Sequence, residues 1–340
     1  MTSAATTVST GADDFGIACE VVPGVLRVRL PLDLQEDHIN TWVLDDGAAL
    51  TIIDSGLGTR RTRALWESLF ERQFAGRALR RVICTHWHPD HMGCAAWLAA
   101  RAEDGLWATR REWLAAWRAA GPDNTYLADE KSFLRVTGCA PDLERKLLDR
   151  AGYITERFLP PPEDYRRFYC GELIEIDGQP WQTLLGEGHS PEHAALYCGA
   201  RNVLITGDMV LPDTTTFVGV DPGDELDADP IDAYLRSLDR LESLPEDVLV
   251  LPSHGEPFRG LHERIAELKS RQQVRLQRML DAIDGPLSPA GMVAALRGRK
   301  PSASQLYLGL RLALAGLNYH CNRRVAHRWQ AAGVLQFDRI

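Results

Sequence analysis

The stretch Val82-Ile83-Cys84-Thr85-His86-Trp87-His88-Pro89-Asp90-His91 decides how the rest of the chain is read. Its apolar start predicts a buried strand that ends in a short turn. On an extended chain His86 and His88 point the same way, because side chains alternate with a period of two. Asp90 and His91 follow in the turn, where the backbone can swing them round to a second point. Neutral imidazoles and a carboxylate are the ligand set for zinc and similar divalent metals. The plain alternative is a polar surface turn that happens to be rich in histidine.

Outward from this turn the chain reads as strands and helices in alternating blocks. Upstream, residues 25–30, 40–44 and 49–53 alternate as strands, with Asp45-Asp46-Gly47 as a turn, which argues for an antiparallel start. The third ends in Asp54-Ser55-Gly56 and leads to a helix over about 60–74. A further helix over 94–102 follows the histidine turn, so rigid elements hold that turn on both sides. Residues 105–170 change character: Trp107, Trp113 and Trp117 cluster, two helices are expected at about 129–137 and 142–156, and Pro160-Pro161-Pro162 ends them. This is a helical insertion, its aromatics packing on the main body or serving as a lid over a pocket.

A second strand-rich half follows, with strands at 173–176, 181–185, 194–197 and 203–206, a helix within 226–244 and a last strand at 248–251. The expected fold class is α/β (α+β): two sheets packed face to face with helices outside. From Leu261 onward the pattern turns helical. Leu261, Ile265, Leu268, Leu276, Met279 and Ile283 make one stripe, Ser288-Pro289 opens another helix, and helices are expected at about 304–314 and 318–331, the last stopped by Gly333 before a short strand at 334–337. The domain reading is a flexible tail over 1–16, a catalytic domain over 17–260, and a C-terminal helical, winged-helix-like domain over 261–340.

Size and charge narrow the classes. The 340 residues are 45% hydrophobic and 25% charged, ordinary for a globular protein with a sizeable core. A net charge of -9 disfavours a large nucleic-acid footprint. Seven scattered cysteines, never in C-x-x-C spacing, are neither a disulfide framework nor a structural zinc site. The start Met1-Thr2-Ser3-Ala4-Ala5 lacks the form of a signal peptide, and no apolar run is long enough to span a bilayer. The expectation is a cytoplasmic protein without a membrane partner.

Three more ligand candidates lie at strand ends: His189 in Gly188-His189-Ser190, Asp208 in Gly207-Asp208, and His254 in Ser253-His254-Gly255. Each alone could be a turn residue. Together with the first cluster, the turn readings become improbable jointly.

With these residues in place the chain resembles the metallo-β-lactamase-fold hydrolases, in the branch holding the glyoxalase II-like enzymes and the lactamase-like endoribonucleases. The motifs are His86-x-His88-x-Asp90-His91, then His189, Asp208 and His254, with Asp54 matching the family's aspartate beneath the metal turn. The resemblance covers about residues 20–260, and the helical tail is also similar to the C-terminal domain of the endoribonucleases. It implies an αββα sandwich with two divalent metal ions, zinc first, with iron and manganese also suited to the ligands. In that arrangement His86, His88 and His189 bind one metal, Asp90, His91 and His254 the other, and Asp208 bridges both. The bridging carboxylate separates the chain from true β-lactamases, and His88 stands where diiron redox members carry glutamate.

The mechanism expected is attack by a metal-bridging hydroxide, its pKa lowered from about 16 toward about 7, with Asp90 as the catalytic residue that accepts a hydrogen bond from it and aims it. His193 and Tyr197 are candidate proton donors. Three functions compete. The first is hydrolysis of a small thioester, ester or lactone, which the acidic balance and the insertion favour. The second is endoribonuclease activity, with Arg297, Arg299, Lys300, Arg323 and Arg324 on phosphates. The third is a non-hydrolytic role, as a mono-iron sulfur dioxygenase or a ligand sensor. A homodimer interface on the tail is a further expectation.

Overall fold

The computed structural model describes residues 14–32, 38–297 and 303–340. Most of the expected tail over 1–16, as well as Arg299 and Lys300, lies outside them.

The first half builds one sheet. β1 (Ala18–Val22), β2 (Val25–Pro31), β3 (His38–Asp46) and β4 (Ala49–Ile53) pair antiparallel in sequence order. Helix α1 (Arg60–Arg72) then carries the chain across to β5 (Ala78–Ile83), which lies parallel to β4. Parallel neighbours need such a crossover, whereas the antiparallel ones need only a turn. The short helices α2 (Pro89–Met92) and α3 (Ala95–Ala99) lead to β6 (Leu106–Ala108). The insertion α4 (Arg110–Ala120), α5 (Tyr126–Val136) and α6 (Pro141–Thr155) leads to the edge strand β7 (Arg166–Arg167). Helix α4 is one the sequence reading did not resolve. It carries Trp113 and Trp117 one turn apart with ring centroids at 5.1 Å, and Trp113 stacks on Tyr165 at 4.7 Å.

The second sheet is β8 (Leu173–Ile176), β9 (Gln179–Gly186), β10 (His193–Cys198) and β11 (Val203–Gly207), antiparallel in order. Helix α7 (Pro230–Leu241) then crosses to β12 (Leu249–Pro252), parallel to β11. Between the sheets Trp42, Ile53, Ile83, Trp181, Leu196, Ile205 and Leu251 interlock. The outer faces pack under helices in a larger core. This is the expected αββα sandwich. The loops at β5, β9, β11 and β12 open on one rim, which is why residues far apart in sequence can share a site.

The tail comprises α8 (Leu261–Asp281), α9 (Pro289–Arg297), α10 (Ala303–Asn322), β13 (Ala326–Ala331) and β14 (Val334–Arg339). Two expectations are corrected here. The helix does not break near residue 316, because Gly316 is a point of close approach: a Cβ there would meet Met279 at 2.4 Å. Residues 326–331 are not helix either. They pair with β14 as a hairpin whose central residues Ala332 and Gly333 have φ of 47° and 81°, as a type I′ turn requires. Gly333 turns a hairpin rather than capping a helix. The tail residues Leu276, Met279, Leu310 and Leu314 belong to the same continuous core as the sandwich helices.

A buried charge cluster fastens the tail to the insertion. Arg311 of α10 pairs with Glu130 of α5, whose side chain is fully buried, and lies 3.4 Å from Asp221. Tyr307 donates to Glu130 at 2.6 Å. Removing one partner of a buried pair leaves the other charge uncompensated. Arg311→Met is therefore expected to cost about 3–5 kcal/mol of stability, read as a fall in the urea midpoint, and Glu130→Met in the same chain should restore much of it. A single variant within about 1 kcal/mol of the parent, below the usual range for a broken buried pair, would show that the cluster is dispensable.

Candidate metal centre

The structure brings all seven predicted ligands together in two groups: His86, His88, His189 and Asp208 in one, Asp90, His91 and His254 in the other. In the first, His86 Nε2 lies 2.9 Å from His88 Nδ1 and 3.2 Å from His189 Nε2, and His189 Nε2 lies 3.5 Å from Asp208 Oδ2. In the second, His254 Nε2 is 3.3 Å from Asp90 Oδ2, and His91 Nε2 is 3.5 Å from it. Asp208 Oδ1 turns to this second group, 3.4 Å from His91 Nε2 and 3.5 Å from His254 Nε2. Asp208 therefore divides its two oxygens between the groups.

These spacings fit a metal better than they fit hydrogen bonds. A tetrahedral ion with bonds of about 2.0–2.1 Å holds its ligand atoms about 3.3–3.4 Å apart. His91 Nε2 and Asp208 Oδ1 are buried without a hydrogen-bond partner. Buried polar atoms are otherwise satisfied, so an orphaned pair facing each other calls for a cation.

The outer ring nitrogens are fixed by acceptors, which leaves the inner ones bare. His91 Nδ1 donates to Asp54 Oδ2 at 2.8 Å, His189 Nδ1 to the Phe217 carbonyl at 2.8 Å, and His254 Nδ1 to the His38 carbonyl at 3.0 Å. Asp54 also takes the backbone N–H of Thr85 at 2.8 Å and the Thr85 hydroxyl at 2.9 Å. It sits at φ 62°, a left-handed conformation that a non-glycine residue rarely holds without a structural reason.

Electrostatics point the same way. Burial pushes His86 well below the usual imidazole range and His88 down to about 3, with His91 and His189 their leading charged neighbours, so both rings are neutral, the form a metal ligand requires. Burial lowers His189 too. His91 differs: burial opposes its cation, yet Asp90, Asp208 and Asp54 together push its pKa well up. Three carboxylates around one ring make a place where positive charge is wanted.

The two proton-donor candidates do not line the cavity beside the site. His193 is fully buried, and its Nε2 accepts the backbone N–H of Asp208 at 3.2 Å. It braces Asp208 from behind. The Tyr197 ring sits beside Gly199 and packs on the helix-side core. That cavity, of about 480 Å³, is walled by Trp87, His88, His189, Phe217, Arg111 and Asp221. Another of similar size, walled by Arg80, Arg81 and Arg166 among others, contains none of the seven.

Glu112 was missed. It is fully buried on α4 and accepts three hydrogen bonds from the loops carrying His86, His88 and His189. Burial pushes its carboxyl up to about 7, against the pull of those donors. Thr109-Arg110-Arg111-Glu112 is the available signal, since it has the form of a capping box. The structure spends both side chains elsewhere, Thr109 donating to the Glu192 carbonyl at 2.9 Å.

Comparison with known proteins agrees with this geometry. The family model for the metallo-beta-lactamase superfamily matches residues 34–254. A solved beta-lactamase domain protein from Burkholderia ambifaria is 36% identical, with a TM-score of 0.87 over 98% of this chain and 97% of that one. An atrochrysone carboxyl ACP thioesterase from Aspergillus fumigatus is 24% identical, over 82% of this chain and 75% of that one. A probable metallo-hydrolase from Bacillus subtilis is 25% identical, over 76% and 80%. The chain belongs to the metallo-beta-lactamase superfamily. It is a metal-dependent hydrolase. Among the described residues no helix is long and apolar enough to cross a membrane.

Proposed function

We propose that this hydrolase is dinuclear and acts on a small thioester, ester or lactone. The observation that carries the reading is Asp208, one oxygen turned to each ligand group. His86, His88 and His189 with Asp208 would hold one divalent ion, and Asp90, His91 and His254 with Asp208 the other, with zinc the first choice for this donor set. Such a pair supplies Lewis acidity and makes water acidic enough to attack near neutral pH. The chain's own part is to orient. Asp90 accepts a hydrogen bond from the attacking water and holds its lone pair toward the substrate. Trp87 and Phe217 offer an apolar wall for a small acyl group in a cavity whose other walls are largely polar.

The thioesterase name of one relative supports a thioester substrate. The phosphate-contacting alternative has less support, because Arg323 is engaged by Asp229 at 3.1 Å and Asp232 at 2.5 Å. Seven unpaired cysteines support a reducing compartment such as the cytoplasm.

Metal analysis of the purified protein beside a panel of thioesters, lactones and phosphodiesters tests this. The expected result is two metal ions per chain with turnover of thioesters or lactones. One ion per chain, or phosphodiesters as the best substrates, would overturn it. Iron together with oxygen uptake would point to the dioxygenase instead.

A further inference from the structure

We infer that Glu112 is a positioning residue for one of the two metal centres, that of His86, His88 and His189, and leaves the other nearly untouched. The inference rests on the two-metal reading above.

Glu112 projects from the insertion into the seam between the sheets. Its Oε2 accepts the backbone N–H of Trp87, the residue between His86 and His88, at 2.9 Å. Its Oε1 accepts the hydroxyl of Ser190, the neighbour of His189, at 2.7 Å, and the backbone N–H of Glu192 at 2.6 Å. One carboxylate thus ties together two ligand loops, one from each sheet. The loop carrying Asp90 and His91 is held by other groups. Ser55 donates its N–H and its hydroxyl to the His91 carbonyl, both at 2.7 Å, and Asp54 holds the His91 ring. Asn40 donates its backbone N–H to the Ser253 carbonyl beside His254 at 2.6 Å.

The choice of a carboxylate is informative. A buried carboxylate is costly unless it is compensated. Among the described residues no Lys or Arg forms an ion pair with Glu112, so hydrogen bonds alone compensate it. Both of its oxygens accept and neither donates, which matches three donors arriving from two sides. A glutamine would turn an NH2 toward one of those donors. If the role were only to join the sheets, apolar contacts would serve, as they do at Trp42 and Trp181. The contacts fall instead on residues adjacent to metal ligands, where groups that orient ligands are known to tune metal affinity.

The test is stepwise loading of the full-length metal-free protein with cobalt(II), followed by its visible absorption, for the parent, Glu112→Gln and Glu112→Asp. The parent is expected to take up two equivalents. Glu112→Gln should take up one with parental affinity and the second about 10–100-fold more weakly. Glu112→Asp, which keeps both acceptors, should recover part of the loss. Equal weakening of both equivalents, or no change in a folded Glu112→Gln protein, would overturn the inference. If Glu112→Gln does not fold, Ser190→Ala, which removes one donor only, must show the same selective weakening in smaller measure, and its absence would overturn the inference. A parent that binds a single equivalent would sink the two-metal reading itself, and that result appears before any variant is compared.

Discussion

Asp90→Ala, fully loaded with metal, is expected to lose nearly all turnover, by about 10²–10⁴-fold, the range for removing a positioned proton acceptor. Asp90 differs from Asp54, the carboxylate beneath the same histidine: its Oδ2 faces His91 and His254, yet its side chain keeps 18% exposure, whereas the side chain of Asp54 has none. Burial alone would raise its pKa, but His91 and His254 outweigh burial and hold it down at about 2. It is ionised at any working pH and so remains an acceptor. Alanine removes that acceptor and one ligand oxygen together, so the assay must be run at saturating metal, which separates loss of aim from loss of metal. Turnover near the parental rate in the loaded variant would rule out the role given to Asp90.

Removing the shared carboxylate should have a different signature. On the two-metal reading, Asp208→Ala takes a ligand atom from each group at once, so both metal affinities are expected to fall by more than the roughly 10–100-fold typical of an outer partner. The metal-free protein should also lose some stability, because His254 and His91 hold the Asp208 carboxyl well below the usual carboxylate range against burial, an attraction that alanine removes. The measurement is the melting temperature with and without zinc. Ligand binding to the native state stabilises by mass action, and the parent should gain several degrees. In Asp208→Ala that gain should vanish, and the readout is the zinc-dependent difference rather than the metal-free melting temperature, which falls with the loss of the His91 and His254 contacts. A full zinc-dependent gain in the variant would show that Asp208 is not a shared ligand.

The candidate ligands were legible in the chain because each signal is local. His86, His88, Asp90 and His91 fall within six residues at the end of an apolar run, and His189, Asp208 and His254 each follow a strand. Alternation marked the strands, and a strand end is where a loop must begin. Asp54 was legible only through family resemblance, since Asp-Ser-Gly is otherwise an ordinary turn. The helix α4 was obscured by its tryptophans, which read as an aromatic cluster before they read as one helical face. The final hairpin was obscured because residues 326–331 have no strong period of their own. They become a strand by pairing with residues 334–339, at a turn that only the positive φ of Ala332 and Gly333 reveals.

By itself, then, the order of residues determined the class of chemistry, the two-sheet architecture and the identity of the candidate ligands, all carried by neighbours along the chain. Only the tertiary structure decided which oxygen of Asp208 meets which histidines, that Glu112 spans two ligand loops, and that Arg311 fastens the tail to Glu130. The physical reason is distance in sequence. Glu112 meets Ser190 across 78 positions and Arg311 meets Glu130 across 181. Such pairs leave no periodic trace, because it is the packing of the two sheets and their covering helices that brings them within reach.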